Sequence, residues 1–394
     1  MQKYKSCIEY VRNNLVHAVI LGFNTNIDII KKVRGYELEK ISSYPELQSL
    51  RECVRKGRQK EIFVSKSTID FLTKKLGYDL IRIGGQAGNM ANDAVKLGID
   101  VYLHLANKCI DIIKLLDQNI FVATKNKFVQ AREFKGSKAT PNVHYILEFE
   151  KGDIFENRKI PYSNRFIATY DYENSKMLLD RNFITNVPKV VKSVDKAIIA
   201  GFHLLNESYV SKILKIKDLF LKWKRLNRKL FIHLEMGEFQ SALVLQYVMK
   251  YILPVVDSVG FNEIEFEQMR YSNETLIDFC AKLLRITHQL IYHTREFSIC
   301  AGKGDERQML NSLLFASLAT CYKAKHGYMP SFDELSKFVP NKPNKKGVKL
   351  QKNIADWKKS LSANVVAVPS FTVEKPKYVV GLGDCFTIAS MVTL

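Results

Sequence analysis

The chain has 394 residues, and 60 Lys and Arg against 40 Asp and Glu leave a formal net charge of +20. Apolar residues make up 46% and aromatics 11%, enough for a full core, which excludes a disordered chain; no apolar run approaches the roughly 18 residues of a bilayer span. The charge leaves three partner classes open: nucleic acid, anionic lipid, or a small anionic substrate such as a phosphate ester.

In chain order, short apolar runs alternate with longer amphipathic stretches. Buried strands are expected at Ala18 to Gly22, Leu80 to Ile83, Val101 to His104, Lys196 to Ala200, Leu230 to His233, Ser258 to Gly260, Gln289 to His293 and Asn364 to Pro369. The clearest helix is Val210 to Arg228, with Ile213, Leu214, Ile216, Phe220, Trp223 and Leu226 on its apolar face. Strands alternating with helices predict an α/β fold, a three-layer αβα domain around a mostly parallel sheet. Residues 31–73, charged and irregular, and 121–172, read as short strands with turns, break the alternation and predict a smaller β-rich lid. The resulting division places 1–23, 79–122 and 178–394 in the large domain and 24–78 and 123–177 in the lid. Residues 340–359, rich in Pro, Asn and Lys, read as an exposed basic loop followed by a short helix. Seven scattered cysteines without a C-x-x-C pair fit neither a disulfide framework nor a zinc site, so a reducing, cytoplasmic setting is expected.

Candidate chemistry lies at the glycine turns and strand ends. In Val379-Val380-Gly381-Leu382-Gly383-Asp384 a strand-like start runs through two glycines into a helix. Free amides at a helix start favour an anion, glycines allow close backbone approach, and Asp384 is placed to take a proton from a hydroxyl; an Asp-capped turn reads equally well. Gly84-Gly85-Gln86-Ala87-Gly88-Asn89 is neither a Walker A loop nor a dinucleotide fingerprint, and alone reads as a tight strand-to-helix turn. Asn24-Thr25-Asn26-Ile27-Asp28 suits either hydroxyl recognition or capping. His233-Leu234-Glu235 and Asn262-Glu263-Ile264-Glu265 end later strands, where side chains of open α/β sheets face the ligand crevice and carboxylates can order the waters of Mg²⁺; solvated helix-start acids are the plainer reading.

The succession Asn26-Ile27-Asp28, GGQAG at 84–88, HYILEF at 144–149, NRFI at 164–167, H-x-E at 233–235, NEIE at 262–265, His293-Thr294 and GLGD at 381–384 resembles the ADP-dependent sugar kinases, the archaeal-type phosphofructokinases and glucokinases of ribokinase-like fold. That resemblance implies Asp384 as catalytic base, with Gly381 and Gly383 lining the anion hole and Arg165 reaching from the lid to the phosphates. It implies sugar contacts from Asn26, Asp28, Gly84, Gly85, Gln86, Asn89, His144 and Lys151, nucleotide contacts from His293, Thr294, Val368 and Gly383, and magnesium organised by Glu235 and Glu265. ADP would be the donor and AMP the product, in a monomer or small homo-oligomer. Cys385-Phe386-Thr387 and Asn89 depart from the usual pattern. Glucose-using members carry a lid glutamate before the Gly-Gly segment; Glu52 and Glu61 lie near, but amid Arg51, Arg55, Lys56, Arg58 and Lys60, so fructose 6-phosphate is the expected acceptor and glucose the alternative. An ATP-dependent nucleoside kinase of the same fold and a nucleic-acid-binding protein are the rivals, the second lacking any recognisable reading motif.

Overall fold

The computed structural model describes residues 2–374, 376, 377 and 380–393. Among these, two sheets dominate. The larger has ten strands, and its central seven run parallel in the order Phe121–Ala123, Asp100–Leu103, Ala18–Gly22, Lys196–Ile199, Phe231–Glu235, Ser258–Phe261 and Gln289–His293. Antiparallel partners flank them: Phe128–Gln130 at one edge, Phe297–Gly302 and then Asn364–Pro369 at the other.

Alternate residues of one strand feed two separate cores. Val19 and Leu21 pack with the helices Gln2–Asn13, Gln86–Lys96, Glu306–His326 and Leu382–Met391. Ala18 and Ile20 join Phe183, Phe220 and Trp223 on the opposite face. Burial on both faces is why these strands read as continuous apolar runs, and it makes the domain three-layered, as expected. The predicted helix spans Lys212–Leu226 and buries Ile213, Ile216, Phe220 and Trp223, whereas Leu214 stays exposed.

The small sheet orders its five strands as Lys60–Phe63, Asn164–Tyr170, Val143–Phe149, Asn26–Lys32 and Leu80–Gly84. Residues 31–73 are less irregular than their charge suggested. The helices Gly35–Ile41, Ser49–Lys56 and Lys66–Leu76 bury Leu38, Leu50, Val54 and Leu72 against Tyr145, Leu147 and Phe166 on the sheet's outer face.

Two boundaries move. Leu80–Gly84, expected in the large domain, pairs antiparallel with Asn26–Lys32 and belongs to the small sheet. Phe128–Gln130, expected in the lid, pairs with Phe121–Ala123 and closes an edge of the large sheet. A run of apolar residues cannot announce which sheet it will join. The basic stretch after Pro340 forms two helices, Lys345–Lys352 and Ile354–Leu361. Gly347 lets the first approach Pro369, whose Cα would lie 2.7 Å from a Cβ there. Of the strand-like start expected at Val379-Val380, Val379 lies outside the described residues and Val380 stands in a turn.

Candidate active site

Strand order reverses beside Ala18–Gly22, with Asp100–Leu103 on one side and Lys196–Ile199 on the other, and ligands of open α/β sheets bind at such a reversal, beyond the carboxyl ends of the strands. The turn carrying Asp384 lies against this edge. Gly381 sits at φ 76° as N-cap of Leu382–Met391, a conformation that favours glycine. A Cβ on Gly381 would stand 3.2 Å from Asn89 Nδ2, and one on Gly383 would stand 3.7 Å from His293 Cε1, so both glycines bring the helix start close to its neighbours. Asn89 donates to Asp384 Oδ2 at 2.7 Å. Burial pushes the Asp384 carboxyl up to about 6, against the lowering effects of the Asn89 bond and of Lys323.

Two further carboxylates converge from the ends of Phe231–Glu235 and Ser258–Phe261. Glu235 accepts from His233 Nε2 at 3.1 Å and from His293 Nε2 at 3.0 Å, while His293 stacks on Phe386 at 5.2 Å. Burial would raise the Glu235 carboxyl, but the two imidazoles hold it at about 2. Glu265 caps Asn262 reciprocally at the start of Glu263–Met269, and burial beside the Glu235 charge pushes it up to about 8. A carboxyl forced neutral by a buried neighbour is one that a divalent cation would reionise. Glu235 and Glu265 are the carboxylates here that could order the water shell of a hydrated divalent cation such as Mg²⁺.

The inner face of the small sheet supplies the third component. Its register sets Asn26 opposite Gly84, Asp28 between Arg82 and His144, His144 opposite Thr169, and Ile167 opposite Glu61. Paired residues share a face, so Asn26, Asp28, Arg82, His144, Thr169, Arg165 and Glu61 line one surface. Asn26 Nδ2 donates to Asp28 Oδ1 at 2.9 Å. A Cβ on Gly84 would collide with that oxygen, and one on Gly85, at φ 75°, would lie 2.6 Å from the Asn24 carbonyl. The two glycines therefore cannot be exchanged without disturbing Asp28 and Asn24. His144 Nε2 lies 3.2 Å from Asp171 Oδ2, and its Nδ1 lies 3.8 Å from Glu61 Oε1. Burial alone would lower the imidazole, yet these carboxylates push it up to about 9. Glu61 also accepts from Thr169 Oγ1 at 2.6 Å. Arg165 bonds Gln59 at 2.8 Å; burial pulls its guanidinium below its usual value, with Glu148, Asp28 and Glu61 opposing.

Several expected contacts are otherwise engaged. Gln86 spends both ends of its amide inside the large domain, donating to the Met236 carbonyl and accepting from Gly201 N–H. Asn89 turns to Asp384, as described. Lys151 lies seven residues beyond His144, about 23 Å along an extended chain, in the turn closing that strand, and it is exposed. The Thr294 hydroxyl serves its own hairpin, bonding the main chain of Glu296 and Phe297, and Val368 is buried in the large-domain core.

Sequence reasoning passed over five residues of the site. Asp171 and Asn174 tie His144 to the Asn24–Thr25 crossing between the sheets, Asn174 Nδ2 donating to the Thr25 carbonyl at 3.1 Å. Lys323 and Asp93 form a buried ion pair behind Asp384. Arg295, on the hairpin after His293-Thr294, adds its charge to the surroundings of Arg165. The only available signal was spacing: Asn89 and Asp93 follow Gly85 at four-residue intervals, on one helical face.

A three-layer sheet domain with a smaller β-rich lobe, and a glycine-flanked aspartate at a helix start, is the arrangement of an α/β phosphotransferase. Residues 17–393 match the family model described as the ADP-specific phosphofructokinase/glucokinase conserved region, and the chain belongs to that family of ADP-dependent sugar kinases. It is 26% identical to the ADP-dependent glucose/glucosamine kinase of Pyrococcus furiosus, over 99% of this chain and 97% of that one. Identity to the ADP-specific phosphofructokinase of Pyrococcus abyssi is 25%, over 95% and 97%. In fold it resembles an ADP-dependent kinase solved with fructose-6-phosphate and ADPβS, at a TM-score of 0.83 and 21% identity over 100% of this chain and 97% of that one. It also resembles a phosphofructokinase from Pyrococcus horikoshii OT3 solved with AMP, at a TM-score of 0.79 and 21% identity over 96% and 98%.

Proposed function

We propose that this kinase transfers the β-phosphoryl group of ADP to a hydroxyl of an unphosphorylated hexose of the glucose type, with Asp384 as base. The observation that carries the choice of acceptor is the position of Glu61. It sits on the inner face of the lid, bonded to Thr169 and facing His144, whereas Glu52 pairs with Lys56 on the outside of its helix. Of the basic residues that favoured fructose 6-phosphate in sequence, three are directed elsewhere: Arg51 and Arg55 pair with Glu156, and Lys56 pairs with Glu52. Asp28, Glu61 and Asp171 around His144 suit neutral hydroxyls, which donate to carboxylates, better than a second phosphate dianion.

In this reading Asn26, Asp28, His144 and Glu61 orient the sugar, and the amides at the start of Leu382–Met391 offset charge on the arriving phosphoryl group. The sugar oxygen bonds to the β-phosphorus as the bond to the bridging oxygen breaks. Asp384 takes the hydroxyl proton, and AMP leaves. Arg165 offsets phosphate charge from the lid. Glu235 and Glu265 would hold the water shell of a magnesium ion, which neutralises phosphate charge when bound. Lid closure excludes water that would hydrolyse ADP. Formation of AMP, followed with glucose and with fructose 6-phosphate, tests the proposal. Glucose should have the higher kcat/KM, and Glu61→Ala should lower that value at least tenfold through KM; a wild-type preference for fructose 6-phosphate would reverse the assignment.

A further inference from the structure

We propose that Asn89 is a positioning residue for Asp384 and not a sugar contact, holding one carboxylate oxygen so that the other faces the acceptor hydroxyl; this rests on Asp384 being the base. Three observations meet here. Asn89 Nδ2 donates to Asp384 Oδ2 at 2.7 Å. Asn89 is 7% exposed inside the helix Gln86–Lys96, where Asn is a poor helix former, so a buried polar side chain is kept where an apolar one would fold better. The Gly381 turn approaches that amide so closely that a Cβ would stand 3.2 Å from Nδ2.

The same helix face carries the support for this contact. One turn after Asn89, Asp93 accepts from Lys323 Nζ with both carboxylate oxygens, at 2.8 and 2.6 Å. Lys323 is buried in the last turn of Glu306–His326, and its charge reaches Asp384. One turn before it, Gly85 cradles Asn24 and Asn26. A single rigid face thus joins the sugar cradle, the base and a buried cation. The groups acting on Asp384 are Asn89 and Lys323, which favour its charged form, and Glu235 and Asp93, which oppose it.

The test is the pH dependence of kcat, measured at saturating sugar and ADP, for Asn89→Leu, which removes the donor, and Asn89→Asp, which keeps the shape and puts an acceptor against the carboxylate. Losing a hydrogen bond to a charged group raises the pKa of that group, so the acid limb should move up by about 1 pH unit or more in Asn89→Leu and further in Asn89→Asp. The sugar KM should change less than about threefold, since no sugar hydroxyl loses a partner. An unmoved acid limb in either folded variant, or a sugar KM raised tenfold with the limb in place, overturns the inference. Asp384→Asn separates this from failure of the underlying reading. If that variant turns over like wild type, Asp384 is not the base; if it is inactive while the Asn89 limb stays put, only the positioning role is lost.

Discussion

In its proposed role Asp384 combines two demands that pull apart, because a base must be ionised and an anion hole must be dry. Burial lifts its carboxyl to about 6, close to the working range in which a general base is most effective. A carboxyl raised in this way is lost as a base when pH falls through that value, so kcat should fall on acidification below about pH 6 and level off above it. Asp384→Asn should reduce kcat by at least about 100-fold with little change in sugar KM, read from initial rates of AMP formation; retained turnover would remove Asp384 from the role. Glu265 shows the converse. Burial and the Glu235 charge push its carboxyl up to about 8, and a bound cation would restore its charge, so Glu265→Gln should raise the magnesium concentration giving half-maximal rate. An unchanged magnesium titration would count against it. The candidates Asp384, Glu235, Glu265, Asp28 and His144 were legible because each lies in or beside a motif at a strand end or glycine turn. Glu61 was ambiguous because its partners Thr169 and His144 are 108 and 83 positions away along the chain, and only the parallel pairing with Asn164–Tyr170 brings them together.

Among the elements, those of the large domain were readable and those of the lid much less so. The central parallel strands are buried on both faces and short, and apolar runs mark them. The middle lid strands are buried on both faces as well, but one face mixes polar residues such as Asn26, Asp28, His144 and Thr169 into the apolar run. Leu80–Gly84 illustrates the difficulty: Leu80 and Ile81 are exposed and Ile83 and Gly84 buried, a pattern that names no sheet. Phe297–Gly302, an antiparallel strand following directly on Gln289–His293, also escaped notice because no helix separates the two. The Gly-Gly turn gives an element-scale prediction. Because a methyl at residue 84 would overlap Asp28 Oδ1, Gly84→Ala should displace Asp28 and raise the sugar KM at least tenfold. The KM for ADP should stay within about twofold, because the strand it perturbs lies in the lid. Equal losses for both substrates would show a general collapse of the lid.

Across the whole molecule, function depends on a junction between two sheets with separate roles. The large domain carries Asp384, the Glu235–Glu265 pair and the hairpin with His293; the lid carries Asn26, Asp28, His144 and Arg165. The chain crosses between them at Asn24–Thr25, at Gly84–Gln86, between residues 130 and 143 and at Asp171, and the Asn174 amide bonds the first and last crossings together. Behind the junction the Asp93–Lys323 pair is buried on both sides, and removing one partner would strand the other. Lys323→Met should therefore cost about 3–5 kcal/mol of stability, measured by urea denaturation at neutral pH; a loss below 1 kcal/mol would show that the pair is effectively solvated. The opening charge excess gains only a partial account from this, since Arg165, Arg295 and Lys323 act at or behind the site while most other cations line the surface. The inner lid face obeys a parity: even positions on Asn26–Lys32, Val143–Phe149 and Leu80–Gly84, odd positions on Asn164–Tyr170 and Lys60–Phe63. Inserting one residue into any of these strands would turn its inner-face side chains into the hydrophobic interior and its interior residues onto the inner face. Such a lid can change its substrate by exchanging side chains in place, but not by altering strand length one residue at a time.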